Sequence, residues 1–221
     1  MTFLPDWEIE ERLNDLIDQR DQDDKVFIRD KKNKRLAQLQ PSSYELRLGN
    51  EVYLAGDKKL TRLGKKRPDI SIQPGDFAIL LTYEKVKIPP DLMAFISIRK
   101  MYKDMGLINI SGFHVDPGFS DNLTFSVYNA GPGEIILRYK DPIFIIFFAK
   151  LTPNGCNNPR EQKTIKGQIP SGVMNKLTGK PISPFDLEHR VSLLENKMTY
   201  QWGIIVAATI AVIIALIKSI L

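Results

Sequence analysis

The spacing of apolar and polar positions divides the chain into stretches of different periodicity. Near the N-terminus Ile9, Leu13, Leu16 and Ile17 fall at i, i+4, i+7 and i+8, one apolar stripe of a helix, with Asp6 placed to cap it and acidic residues in its first turn. From residue 44 to 151 the period shortens to that of strands. These are predicted at 44–48, 51–54, 77–82, 92–98, 107–110, 123–128, 135–137 and 143–148. Turn chemistry separates them, in Gln73-Pro74-Gly75-Asp76, Pro89-Pro90-Asp91 and Gly131-Pro132-Gly133. Short strands at this spacing imply an antiparallel barrel or sandwich. No strand–helix alternation and no Gly-rich phosphate loop of the Walker or dinucleotide kind is present. The run 143–148, IFIIFF, is apolar at every position.

Residues 152–184 are polar and rich in Pro, Gly, Asn and Lys, the texture of an extended arm or linker. After Ser183-Pro184, the residues Leu187, Val191, Leu194 and Met198 step by four, three and four, a short coiled-coil seam over 185–199 that is too brief to associate by itself. Met198 to Ile217 then gives 20 residues without a charge. At about 1.5 Å per residue they span the hydrocarbon of a bilayer, so 200–221 is expected to be a transmembrane anchor; a buried core helix would not be apolar on every face. Tyr200 and Trp202 stand where amphipathic rings meet the interface. The expected arrangement is a single-pass C-terminal anchor with the main domain on the cytoplasmic side. Gly203, Ala207, Ala211 and Ala215 recur every four residues, either as a ridge for helix association or as plain apolar filling.

Composition changes this picture little. Against 26 Asp and Glu there are 31 Lys and Arg, a net charge of +5 that suits a phosphate-bearing ligand or an anionic membrane. The basic runs at 31–35, 58–59 and 65–67 read as solvated loops, and no aromatic residues are interleaved to stack bases, which leaves no case for nucleic acid. One cysteine, Cys156, excludes an internal disulfide framework, and two histidines far apart, His114 and His189, assemble no zinc site. No secretory signal precedes Trp7. A lone strand histidine such as His114 is expected to be packed and hydrogen-bonded.

Four stretches together resemble the dCTP deaminase and dUTPase superfamily: LPDWEIEERL, QPSSYELRLGNEVYL at 40–54, SIQPGDFAILLTYEKVKIPPDLMAFISIRK at 71–100, and HVDPGFSDNLTFSVYNAG from His114. The likeness covers roughly residues 4 to 151. It implies a mainly β, dUTPase-like distorted jelly-roll barrel with an N-terminal helix, occupying 1–151, and a homotrimer with deoxynucleotide sites between subunits.

The resemblance also assigns roles. The deaminase glutamate, which shuttles a proton between attacking water and departing ammonia, falls on Ser126, whose hydroxyl has no useful basicity without a partner base. In the phosphate motif Arg99 is kept and can grip a phosphate with two prongs. Lys100 substitutes charge for a hydroxyl, Met101 cannot donate, and Asp104 would repel a polyphosphate if it faced the site. Asp116 matches the aspartate that contacts deoxyribose and orients water, and Phe119 the ring beneath the sugar; alternatively Asp116 only caps amides of its own turn. Gln168, within KGQIPSG, matches the lid over the nucleotide. Three functions follow as expectations: a membrane-anchored deaminase-like binder or sensor of a deoxypyrimidine nucleotide or of a protein partner, without deaminase chemistry, an active enzyme hydrolysing dUTP through Asp116 with Mg2+ carried on the phosphates or deaminating dCTP, or a non-binding trimeric membrane scaffold.

Overall fold

The computed structural model describes residues 2–18, 38–152, 155–156, 159, 167–176 and 184–220. The basic run 31–35 and most of the expected arm lie outside them. The chain forms two units, Met1–Pro181 and Ile182–Leu221.

The first unit begins with strand β1 (Thr2–Phe3), helices α1 (Asp6–Glu11) and α2 (Leu13–Leu16), and strand β2 (Ile17–Asp18). The expected helix face is buried throughout, with Ile9, Leu13, Leu16 and Ile17 at most 4% exposed. The helix itself is broken at Arg12, where the guanidinium turns out to make two hydrogen bonds to Asp91, at 2.8 and 3.0 Å. Ile17 then leaves the helix to pair with Val86. Asp6 does not occupy the cap position, although its Oδ1 accepts from the Trp7 backbone amide at 2.9 Å. Pro5 holds that position, and the Asp6 amide is tied to the Pro41 carbonyl at 2.9 Å, so Asp6 is already the first helical residue.

The barrel follows with β3 (Leu39–Gln40), β4 (Ser43–Leu54), β5 (Lys59–Arg62), β6 (Asp69–Ile72), β7 (Phe77–Lys87) and β8 (Leu92–Ile98). Helix α3 (Lys100–Asp104) leads to β9 (Leu107–Asn109), β10 (His114–Val115), β11 (Ser120–Asn129), β12 (Ile135–Arg138) and β13 (Pro142–Lys150). The main path is β10-β8-β13-β4-β7-β11-β9, with every pairing antiparallel; β12 and β6 form a separate pair. The fold is mainly β, a curled antiparallel sheet.

Two expected strands, 44–48 and 51–54, are one strand. Its first half pairs with β13 and its second with β7 and β5, and the register shifts between Leu48 and Val52. Gly49 makes this crossing possible, because a Cβ there would lie 2.7 Å from the Thr82 carbonyl oxygen. The core is set by alternation: Phe125 and Val127 point inward, and Phe125 stacks on Phe144 at 4.1 Å. As predicted, 143–148 lies inside the sheet, with Ile143, Phe144, Ile146 and Phe148 fully buried.

A second bulge shapes the site. Between Asn122 and Thr124 the β11–β7 register shifts, and the side-chain Nδ2 of Asn122 donates to the carbonyls of Thr82, Tyr83 and Glu84 at 2.8, 3.2 and 3.1 Å. The backbone groups freed by the bulge are thereby satisfied. Under it lies a buried ion pair, Arg47 Nε to Glu84 Oε1 at 2.6 Å.

Beyond the barrel, helix α4 (Ser171–Lys176) belongs to a segment packed on the first unit, while α5 (Pro184–Ile220) forms the second. Helix α5 is continuous through 199–200, so the seam and the apolar stretch are one helix of 37 residues. Its Arg190–Lys218 portion is long and apolar enough to cross a membrane. Leu187, Val191, Leu194 and Met198 are 48–60% exposed on it.

Candidate functional site

The Asp116-Pro117-Gly118 turn is held by its backbone. Gly118, at φ +87°, donates its N–H to the Ile88 carbonyl at 2.7 Å, and Ile88 returns a bond to the Phe119 carbonyl at 2.8 Å. A positive φ there requires glycine. The Asp116 carboxylate accepts no bond from a backbone amide of the described residues. It faces His114 Nε2 at 3.5 Å instead, both side chains being about two-fifths exposed.

These two side chains, with Ser111, Phe119, Asn122 and Thr124, line a cavity of about 300 Å3. That is the lower end of the range for small-molecule sites, about 300–1,000 Å3. Asp116 and Phe119 are therefore brought together as the turn requires. His114 departs from its expected packed state: it is exposed, β10 places it opposite Phe95, and its ring lies 5.0 Å from that of Phe113, which stacks on Phe95. The strand is only two residues long, with His114 exposed and Val115 buried.

Ser126 is not among the residues lining that cavity. It lies two positions beyond Thr124 on the same face of β11, and its carbonyl accepts bonds from Ile110 and Ser111 amides at 2.8 and 3.3 Å. The register sets it beside Ile79, just as Thr124 is set beside Leu81. Ile79 and Leu81 join Tyr53 and Ala55 in a small apolar cluster closed by Ile169 and Met174. Residues 167–176, part of the expected arm, thus dock on this outer face. Two carboxylates hold the segment: Glu51 Oε2 accepts from the Ile169 amide at 3.0 Å, and Asp121 Oδ1 from the Gly167 amide at 3.2 Å. Gln168 between them is exposed.

Arg99 and Lys100 are not among the residues that line the cavity. Arg99 caps α3, with Nε 2.8 Å from Glu45 Oε1 and Nη1 donating to the Pro142 carbonyl at 3.0 Å. Burial pushes the Glu45 carboxyl up, against the pull of Arg99. Lys100 and Asp104 pair at 2.6 Å on the exposed side of α3. The two charged departures from the motif matched to phosphate binding therefore offset each other's charge.

Sequence reasoning missed Glu45, whose signal was an acid between Tyr44 and Leu46 in a strand buried on both faces. It missed Asn129 as well. Fully buried, that side chain donates to the Ile72 and Gly133 carbonyls, both at 2.9 Å, and accepts from the Gly131 amide at 2.9 Å. Next to it, Gly106 (φ +99°) and Gly131 approach so closely that neither position has room for a Cβ. The loop after α3 is thereby locked to the end of β11.

Residues 10–151 match the family model described as dCTP deaminase-like. The chain is similar to the dCTP deaminase of Pyrococcus abyssi, 36% identical over 149 residues that cover 67% of this chain and 84% of the relative. It is also similar to the dCTP deaminase of Pyrococcus furiosus, 33% identical over 67% and 83% of the two chains. Among solved structures, the 2′-deoxycytidine 5′-triphosphate deaminase of Agrobacterium tumefaciens shares the fold, with a TM-score of 0.52 at 18% identity, covering 66% of this chain and 47% of that one. The chain spans about half the length of that structure. Barrel topology, the DPGF turn with its cavity and the match across residues 10–151 converge: the chain belongs to the dCTP deaminase-like family.

Proposed function

We propose that this is a membrane-attached, homotrimeric member of the family that binds a deoxypyrimidine nucleotide without deaminating it. The observation that carries the reading is chemical: a hydroxyl, Ser126, stands where the family's proton-shuttling acid is matched. Among the described residues Asp116 is the one carboxylate lining the cavity, and it faces an imidazole. Asp116 and Phe119 provide for the sugar, while Arg99, Lys100 and Gln168, supplied by a neighbouring subunit, meet the phosphates and close over them. Support for self-association comes from Phe3, Met101, Ile108, Ile110 and Phe113 on the first unit, all between 50% and 66% exposed. Support for membrane attachment comes from the length and apolarity of α5.

The test is ammonia release from dCTP by the full chain in lipid nanodiscs, together with its melting temperature in the presence of deoxynucleotides. The reading expects no turnover and a raised melting temperature; a ligand at 100 times its dissociation constant adds about 2.7 kcal/mol. Conversion of dCTP to dUTP would overturn it. Indifference to every deoxynucleotide would instead favour a trimeric scaffold.

The His114–Asp116 pair favours a second reading, hydrolysis of dUTP to dUMP and pyrophosphate. Asp116 would orient the attacking water, and Mg2+ would be carried by the nucleotide phosphates. In that case Asp116→Asn abolishes pyrophosphate release and leaves the assembly intact. Absence of release from the unaltered protein ends this alternative.

A further inference from the structure

The net charge of the chain is not spread over its surface. Six of the 31 basic residues and one of the 26 acidic ones fall between 57 and 67, so this stretch carries +5 and the remainder is balanced at 25 against 25. The stretch is Asp57, β5 and the turn after it, closed by the Gly64–Arg67 bridge. Among the described residues strand β5 pairs with β4 alone, antiparallel from Glu51↔Arg62 to Leu54↔Lys59, and forms an edge of the sheet. Lys58, Lys59, Arg62, Lys65, Lys66 and Arg67 are all exposed. Arg62 approaches Glu51 at 3.5 Å; no ion pair to a described residue engages the other five.

Edge strands commonly carry lysine to block pairing with another chain. That accounts for Lys59 and Arg62, which lie on the strand. It does not account for Lys58 at the tip of the preceding turn, where φ is +50°, nor for Lys65, Lys66 and Arg67 in the following one. Cations gathered in two adjacent turns, without an ion pair among the described residues except at Arg62, offer a complementary contact to an anionic surface. The same chain carries a helix able to cross a bilayer, which would hold the barrel beside a sheet of headgroups.

We infer that the β5 hairpin, residues 57–67, is a docking surface for anionic lipid headgroups. The inference rests on the reading of α5 as a membrane span. Near an anionic leaflet each Lys or Arg strengthens attachment roughly fivefold, and the effect is screened by salt. The hairpin thus adds an electrostatic contact that depends on lipid composition to an attachment that does not.

The experiment uses the full chain with vesicles of phosphatidylcholine alone or with added phosphatidylserine. Flotation reports attachment, and hydrogen exchange of the peptide 57–68 reports docking. Attachment to both vesicles is expected, with exchange at least about fivefold slower on the anionic ones at low salt and equal on the two at high salt. The variant K58Q/K59Q/K65Q/K66Q should still float with both and lose the difference in exchange. Flotation with both and equal exchange in the unaltered protein overturns this inference alone. Flotation only with anionic vesicles supports the hairpin contact and overturns the spanning helix; flotation with neither overturns both. Slowing by added single-stranded nucleic acid, with none from anionic lipid, would overturn the assignment to headgroups.

Discussion

Arg99 Nε lies 2.8 Å from Glu45 Oε1, so the guanidinium matched to phosphate recognition is already engaged by a carboxylate of its own barrel. A phosphate arriving at α3 competes with Glu45 for the same donors. The contact is partly sheltered, with side-chain exposures of 31% and 11%, so the competition is not simply screened away by solvent.

The first prediction concerns pH. Burial raises the Glu45 carboxyl above its ordinary 4.5, so the folded chain keeps a proton in a window where the unfolded chain has released it. This group's contribution to stability therefore falls as pH rises through that window. The same protonation releases Arg99. Triphosphate affinity should tighten as pH drops from neutrality toward the upper carboxylate range. Glu45→Gln should bind about tenfold tighter at neutral pH, roughly 1.4 kcal/mol, and show a flatter pH profile by titration calorimetry. Equal affinity and an unchanged profile would mean that Glu45 does not compete for Arg99.

The second concerns the ion pair beneath the bulge. Arg47 and Glu84 side chains are 5% and 1% exposed, and Arg47 Nη2 is buried without a hydrogen-bond partner. The guanidinium also lies 4.6 Å from the centre of the Tyr83 ring. Removing the carboxylate leaves a buried charge uncompensated. Glu84→Leu should lower unfolding free energy by about 3–5 kcal/mol, whereas the double variant Arg47→Met/Glu84→Leu should lose less than that single change. Urea melts measure both. A double variant that loses the sum of the single effects would remove the coupling.

The third concerns the docked segment. Ile169 is 4% exposed against Tyr53, Ile79 and Leu81, and its amide is bonded to Glu51. Ile169→Ala deletes most of the apolar contact that holds 167–176 on the face bearing Ser126. Large-to-small changes at such positions cost about 2–5 kcal/mol. Because the segment is peripheral, the expected loss is local: faster hydrogen exchange at 167–176 with little change in the centre of β4 or β7. Uniform acceleration across the barrel would show that the segment belongs to the global folding unit.

Several features were legible because they are written in local periodicity. The buried face Ile9, Leu13, Leu16 and Ile17, the eight strand regions, and the uncharged run from Met198 to Ile217 each depend on spacing along one element, and spacing is what a sequence displays. The DPGF turn was legible too, since Gly118 at positive φ and the neighbouring proline declare their backbone directly. By itself the sequence determined an antiparallel β domain of this family, a mild positive charge, and a helix long enough for a bilayer. Tertiary structure decided the rest. It joined two strands across Gly49, broke the first helix so that Arg12 could reach Asp91, exposed His114 beside Asp116, engaged Arg99 with Glu45, and laid Ile169 over the face of Ser126. The contacts of Gly49 with Thr82, Arg12 with Asp91, Arg99 with Glu45 and Ile169 with Leu81 join residues distant in sequence, Arg12 and Asp91 being 79 positions apart, and the forces between such partners leave no period in the chain from which they could be read.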